Sequence, residues 1–405
     1  MNKVREFVIE YFYVIVMLLS FICFKYNIPS LIKDLTWIVL FICFYKCVKI
    51  KNIFDHLILI YTFCGILSII GYSIKPYPFE FFIKILLSSY LPIIFYFIGK
   101  NYRHESLVFY KYSVLACLGC FLIGFFWLVT MPEWYVTKAL EVINQTQYYT
   151  EETLHYARFS SFLDSYHIGN LGTFSIICCI GLINTVKKKT GVFLYIVCLI
   201  VSFIAVFLSR QRVSMCLSIF FLLCFILGKM RNRPILTFSI ISCLIVIIIF
   251  FYPESFTLDS ISSTERLSKE SLSTLFSSRS GQWINALNEQ RDFVFGHGLG
   301  GGGHLAMSVN IKPTVVDGSY SKILLETGIM SIFVFIGLII LSIYKALRFR
   351  KIRMELCIVL YYAASLIGAN IIDMPYIIVP LWYSIGRISG YSNIGTKSYL
   401  PNKNF

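Results

Sequence analysis

Charge is scarce in this sequence. Only 14% of its 405 residues are Asp, Glu, Lys or Arg, against 57% hydrophobic. That is too little to cover a soluble domain, and apolar runs of about the length needed to cross a ~30 Å hydrocarbon core recur along the chain. Cysteines are absent from the two longest polar segments; all 13 fall in apolar runs, so no disulfide framework is implied. The Cys117–Cys120 pair reads as small side chains packed in a core. No GxxxxGK[ST] occurs, and the GxGxxG match at Gly296, Gly298 and Gly301 lacks the flanking strand and helix that give that motif meaning. The long polar segments hold no DxD, and His155, His167, His297 and His304 lie without ligand spacing, so no metal or other cofactor is expected.

What is present predicts an all-α polytopic membrane protein with about twelve transmembrane helices, one integral membrane domain over 1–405. The runs are 7–24, 35–50, 55–74, 79–99, 108–130, 168–186, 191–208, 213–229, 234–252, 327–347, 354–372 and 375–390. Lys3 and Arg5 precede the first in the manner of a signal peptide, but no small-residue cleavage site follows, so it reads as an uncleaved span. With both termini cytoplasmic, the inner segments hold 22 of the 36 Lys and Arg residues. They hold only Glu6, Asp55, Glu105 and Glu355 of the acidic ones. The basic surplus is therefore a topology signal and does not point to a nucleic-acid-binding face.

This orientation leaves two large outer loops, 131–167 and 253–318. The second divides into a Ser-rich stretch (259–278), a predicted helix (279–293), the glycine run GHGLGGGGH (296–304) and VVDGSYSKILLETGI (315–329). FLSRQRVSM (207–215) also faces outward, which sets Arg210 and Arg212 against the positive-inside bias. Arginine near the membrane costs a few kcal/mol unless it is partnered. One such arginine is explained by snorkelling to lipid phosphates, whereas two in so short a hairpin favour an anion site. Arg158, Arg266, Arg279 and Arg291 lie in the loops as well. Arginine forks grip phosphate oxygens and keep their charge, so a lipid-linked sugar diphosphate suits this set and its departure needs no metal. The glycine run reads either as an anion-binding nest or mobile flap, or as a plain linker.

On these residues the chain resembles the bacterial O-antigen and capsule polymerases of the Wzy type and the related O-antigen ligases. LSRQR (208–212) resembles the short turn whose arginine faces the lipid diphosphate. SRSGQWINAL with FVFGHGLG (278–300) resembles the family's arginine–tryptophan helix and glycine motif. VDGSYSKILLETGI (316–329) resembles the ligase segment HNxYLxxLxExG, with Asp317 where ligases carry histidine, which favours a polymerase over a ligase. Arg158 to Gly169 and Arg291 to Gly302 also fit the RX10G pattern of polymerase loops.

The resemblance implies a bacterial inner-membrane protein with two large periplasmic loops. It would join undecaprenyl-diphosphate-linked oligosaccharides by glycosyl transfer, with the bilayer and a chain-length regulator protein as partners. It places Arg210 and Arg279 on the diphosphate, supported by Arg212, Arg158 and Arg291, with Gly298 and Gly300 positioning substrate. Asp317 is the first candidate for the base that accepts the acceptor's proton, and His304 and His297 are the second. Asp317 also reads as a plain helix N-cap, and Tyr320 either positions sugar or anchors at the interface. Lys322–Glu326 and Glu80–Lys84 read as self-neutralising structural pairs. A flippase for lipid-linked oligosaccharide is the rival class, but it needs charge along a central cavity, and the apolar runs are mostly neutral.

Overall fold

The computed structural model describes residues 3–26, 31–74, 77–101, 106–133, 135–136, 159, 161–163, 165–229, 281, 283–284, 288, 294–303, 306, 315 and 318–398. Their regular secondary structure is all helical, with no strand among the described residues. The helices are α1 (Lys3–Glu10), α2 (Phe12–Tyr26), α3 (Leu31–Phe44), α4 (Ile53–Leu67), α5 (Ile69–Ile74), α6 (Phe79–Ile85), α7 (Ile94–Asn101) and α8 (Val108–Thr130). After them come α9 (Ser165–Ile183), α10 (Lys189–Ser209), α11 (Arg212–Lys229), α12 (Ser319–Leu347), α13 (Arg353–Gly368) and α14 (Pro375–Ser398).

Among the described residues, five segments are long and apolar enough to cross a membrane: Ile53–Ser73, Phe79–Asn101, Val108–Thr130, Lys189–Ser209 and Ser319–Leu347. Shorter apolar helices occupy Phe12–Cys23, Thr36–Cys47, His167–Ile183 and Arg212–Leu227. Helix therefore occupies most of each apolar run read from the sequence that lies within the described residues, while 48–50, 184–186 and 369–372 are not helical. The run 234–252 and most of 131–167 and 253–318 lie outside them. The outward faces stay apolar, with Val129, Phe193, Phe333 and Ile340 exposed, as a lipid-facing surface requires.

The core is built around α14. Buried on all sides, it holds Ile377, Ile378, Val379, Leu381, Trp382, Tyr383, Ile385 and Ile388 in the core, as a helix at the centre of a bundle does. It crosses α7 at almost zero clearance: a Cβ on Gly386 would lie 2.1 Å from Tyr96 O, and one on Gly99 would lie 2.3 Å from Tyr383 O. Paired glycines let two membrane helices touch backbone to backbone in this way.

Two sealed ion pairs flank that contact. Lys100 Nζ lies 2.5 Å from Asp55 Oδ2, and the Tyr96 hydroxyl donates to Asp55 Oδ1 at 2.5 Å. Asp55 also closes a capping box with Asn52 at the start of α4. Arg387 Nε lies 2.6 Å from Glu355 Oε1 in the first turn of α13, while another arginine nitrogen donates to Ser106 O. All four charged residues are buried. Glu80 and Lys84 differ from expectation. Both are exposed and no ion pair joins them, because their face of α6 turns away from the core.

Helix α12 starts at Ser319, eight residues before the expected apolar run. The N-cap position belongs to Gly318, with φ 106° and no side-chain cap. The helix breaks once, at Gly328 (φ 80°, ψ 179°), a conformation only glycine adopts freely.

Candidate functional site

Two polar clusters stand apart from the sealed pairs. The first is the turn between α10 and α11. Arg210 closes α10 in the left-handed conformation (φ 54°, ψ 24°), and its N–H donates to Phe207 O. Glycine or asparagine normally holds that position, and an L side chain there costs roughly 1 kcal/mol. Arg210 and Arg212 are exposed, while Gln211 between them is buried.

Gln211 is the anchor. Its Oε1 accepts from Ser214 Oγ at 2.9 Å and from Asn170 Nδ2 at 3.3 Å. The Tyr361 hydroxyl donates to Asn170 Oδ1 at 2.7 Å, tying α13 into the network. Gly169 is pressed against the same amide, since a Cβ there would lie 2.2 Å from Gln211 Oε1. One buried glutamine thus pins the turn from below and leaves two guanidinium groups on its surface. The first long loop returns to the same place: Phe159 N–H donates to Leu208 O at 3.0 Å, one residue after Arg158. Arg158 itself lies outside the described residues, as do Arg279, Arg291, His304 and Asp317.

The second cluster surrounds the glycine run and the break in α12. Ending the helical path at Gly328 frees carbonyls of the preceding turn, and the run supplies their donors. His297 N–H donates to Leu325 O at 2.8 Å and Gly298 N–H to Glu326 O at 2.9 Å. Gly296, Gly298 and Gly300 all have positive φ. The run is wedged against α5 as well: a Cβ on Gly71 would lie 2.1 Å from Gly296 O. The Tyr77 hydroxyl holds it from the other side, donating to Leu299 O at 2.5 Å, and burial raises the pKa of that phenol so that it keeps its proton.

The nest suggested by the sequence is therefore filled from within. Gly302 N–H donates to Glu326 Oε1 at 3.2 Å, so the anion it cradles is the protein's own carboxylate. Residues 296–303 are buried, which removes the exposed flap, and His297 is 5% exposed against α12. Gly298 and Gly300 position this packed backbone.

Lys322 and Glu326 form the expected pair, 3.5 Å apart, but with a third member that sequence reasoning missed. Lys322 Nζ also ion-pairs with Asp373, whose other oxygen accepts from Ser89 Oγ at 2.9 Å. Asp373 is the sole acidic residue after Glu355, on the connection between two apolar runs, and that isolation was its signal. Tyr320 donates to Ala363 O at 3.0 Å and packs on Phe335, so it braces α12 against α13. Among the described residues no group of three His, Cys, Asp or Glu side chains has metal-site geometry. No known protein-family pattern matches the chain, and no curated protein is similar to it.

Proposed function

We propose that this protein joins lipid-diphosphate-linked oligosaccharides by glycosyl transfer at the outer face of a bacterial inner membrane. One observation carries the reading: two exposed arginines on a turn that a buried glutamine network holds rigid at the end of apolar helices. In this reading the turn presents its two arginines at the depth of a membrane-bound diphosphate headgroup. Preorganised charge of this kind is the strongest means a protein has of stabilising a departing anion. The positive-inside bias supports the orientation, with the Lys187-Lys188-Lys189 side in the cytoplasm.

In the reaction, an acceptor hydroxyl oxygen bonds to the anomeric carbon of the growing glycan. The carbon–oxygen bond to the diphosphate breaks, and the electron pair leaves with the diphosphate. Arg210 and Arg279 hold that group, with Arg212, Arg158 and Arg291 supporting them. The hydroxyl's proton passes to a base, for which Asp317 ranks ahead of His304 and His297. Asp317 in place of a ligase histidine favours the polymerase over the O-antigen ligase.

A second reading, a flippase for the same lipid, draws on the Lys322–Asp373–Glu326 cluster, since buried charge within membrane helices often marks a transport path. Reconstitution separates the two. In liposomes a polymerase lengthens glycan on lipid, whereas a flippase moves labelled lipid across the bilayer without lengthening it.

A further inference from the structure

Three buried ion-pair clusters occur among the described residues, and they differ in one respect. Asp55 and Glu355 are 0% and 1% exposed, each closed over by protein donors. Asp373 is 19% exposed at its side chain, although its partner Lys322 is buried. The first two lie at one end of the bundle. Asp373 lies at the other, because Glu355 opens α13 and Asp373 follows that helix's last residue.

The connection that carries Asp373 is rigid. Ser319 N–H and Oγ both donate to Ala369 O, and Ile371 N–H donates to Ser319 Oγ. Both neighbours of Asn370 are thereby fixed. Asn370 itself is 4% exposed, and neither its Oδ1 nor its Nδ2 has a hydrogen-bond partner. A buried amide with both ends unmet is costly and rare, so it asks for an explanation.

We propose that Asn370 and Asp373 form a hydroxyl-binding subsite for a sugar of the glycan substrate. The chemistry selects the ligand class. With one lysine and two carboxylates, the cluster repels a phosphate. A metal cation would satisfy Asn370 Oδ1 and leave Nδ2 unmet. Sugar hydroxyls both donate and accept, so they satisfy both ends of the amide and the open lone pairs of Asp373 together. Lys322 and Ser89 hold that carboxylate in place. The inference rests on the polymerase reading for the identity of the glycan, and its test is separate from that reading's.

The test is chemical footprinting of full-length protein in liposomes. A water-soluble carbodiimide modifies Asp373, either with glycine ethyl ester or by a crosslink to Lys322, and mass spectrometry gives the rate. Undecaprenyl diphosphate carrying an oligosaccharide should slow this modification at least five-fold, while undecaprenyl diphosphate alone should leave it unchanged. Asn370→Leu should weaken the protection by tenfold or more in ligand concentration and raise the melting temperature, because it removes an amide that bonds nothing. Equal protection by both lipids, protection by NaCl alone, no protection, or a lower melting temperature for Asn370→Leu would overturn the subsite. If protection is seen without any growth of glycan, the polymerase reading fails and the subsite stands. Growth without protection defeats the subsite alone.

Discussion

At the scale of single residues, Arg210 gives a clean separation of backbone from charge. Its left-handed conformation suits glycine, so Arg210→Gly removes the guanidinium and relieves roughly 1 kcal/mol of backbone cost. The variant should melt no lower than the parent in detergent and make no polymer; polymer at parental yield would remove Arg210 from the site. Arg210→Lys keeps the charge but loses the fork, and a loss on the order of 100-fold is expected in glycosyl transfer with insertion unchanged. The sealed pairs behave differently. Lys100→Met strands the buried Asp55 carboxylate and should cost about 3–5 kcal/mol, read as a fall in melting temperature. Adding Asp55→Asn, which retains an acceptor for the Lys51 and Asn52 N–H groups, should recover most of it. If the double variant melts as low as the single one, the cost does not come from the stranded charge.

At the scale of elements, glycines decide what approaches what. A Cβ on Gly386 meets the Tyr96 carbonyl at 2.1 Å, and backbone cannot swing aside as a side chain can, so Gly386→Ala should destabilise by roughly 1–3 kcal/mol or more. Gly119→Ala meets nothing within 4 Å on α8 and should be neutral or mildly stabilising in the same melting assay. The helices were legible because apolar runs of sufficient length have few other folds in a bilayer. The turn at Arg210 was legible because arginine is out of place there. The filled nest was not, because pairing the glycine run with a broken helix 24 residues further along depends on Gly328 leaving the helical path. Nor did local sequence show that Glu80 and Lys84 would face outward on α6. Spacing i,i+4 places two charges on one face, but the tertiary contacts decide where that face points.

At the scale of the whole molecule, the alternation of helices makes a topology that can be measured. Single cysteines placed at the exposed positions 188 and 212 in a cysteine-free background should react with membrane-impermeant reagents from opposite sides, position 212 from outside the cell. Labelling of both from one side would refute the proposed arrangement and with it the outer diphosphate site. Asp373 and Asn370 were invisible to motif reading because their meaning is spatial: one is an open member of an ion pair with Lys322, the other an amide with no partner between two fixed backbone contacts. The most direct test of glycosyl transfer is reconstitution of the purified protein in liposomes with undecaprenyl-diphosphate-linked repeat units and EDTA, with the products separated by length. A ladder of lipid-borne glycans, lost on Arg210→Gly, is the expected result. Substrate that crosses the bilayer unlengthened, or a ladder indifferent to Arg210, would contradict the role proposed for the arginine turn.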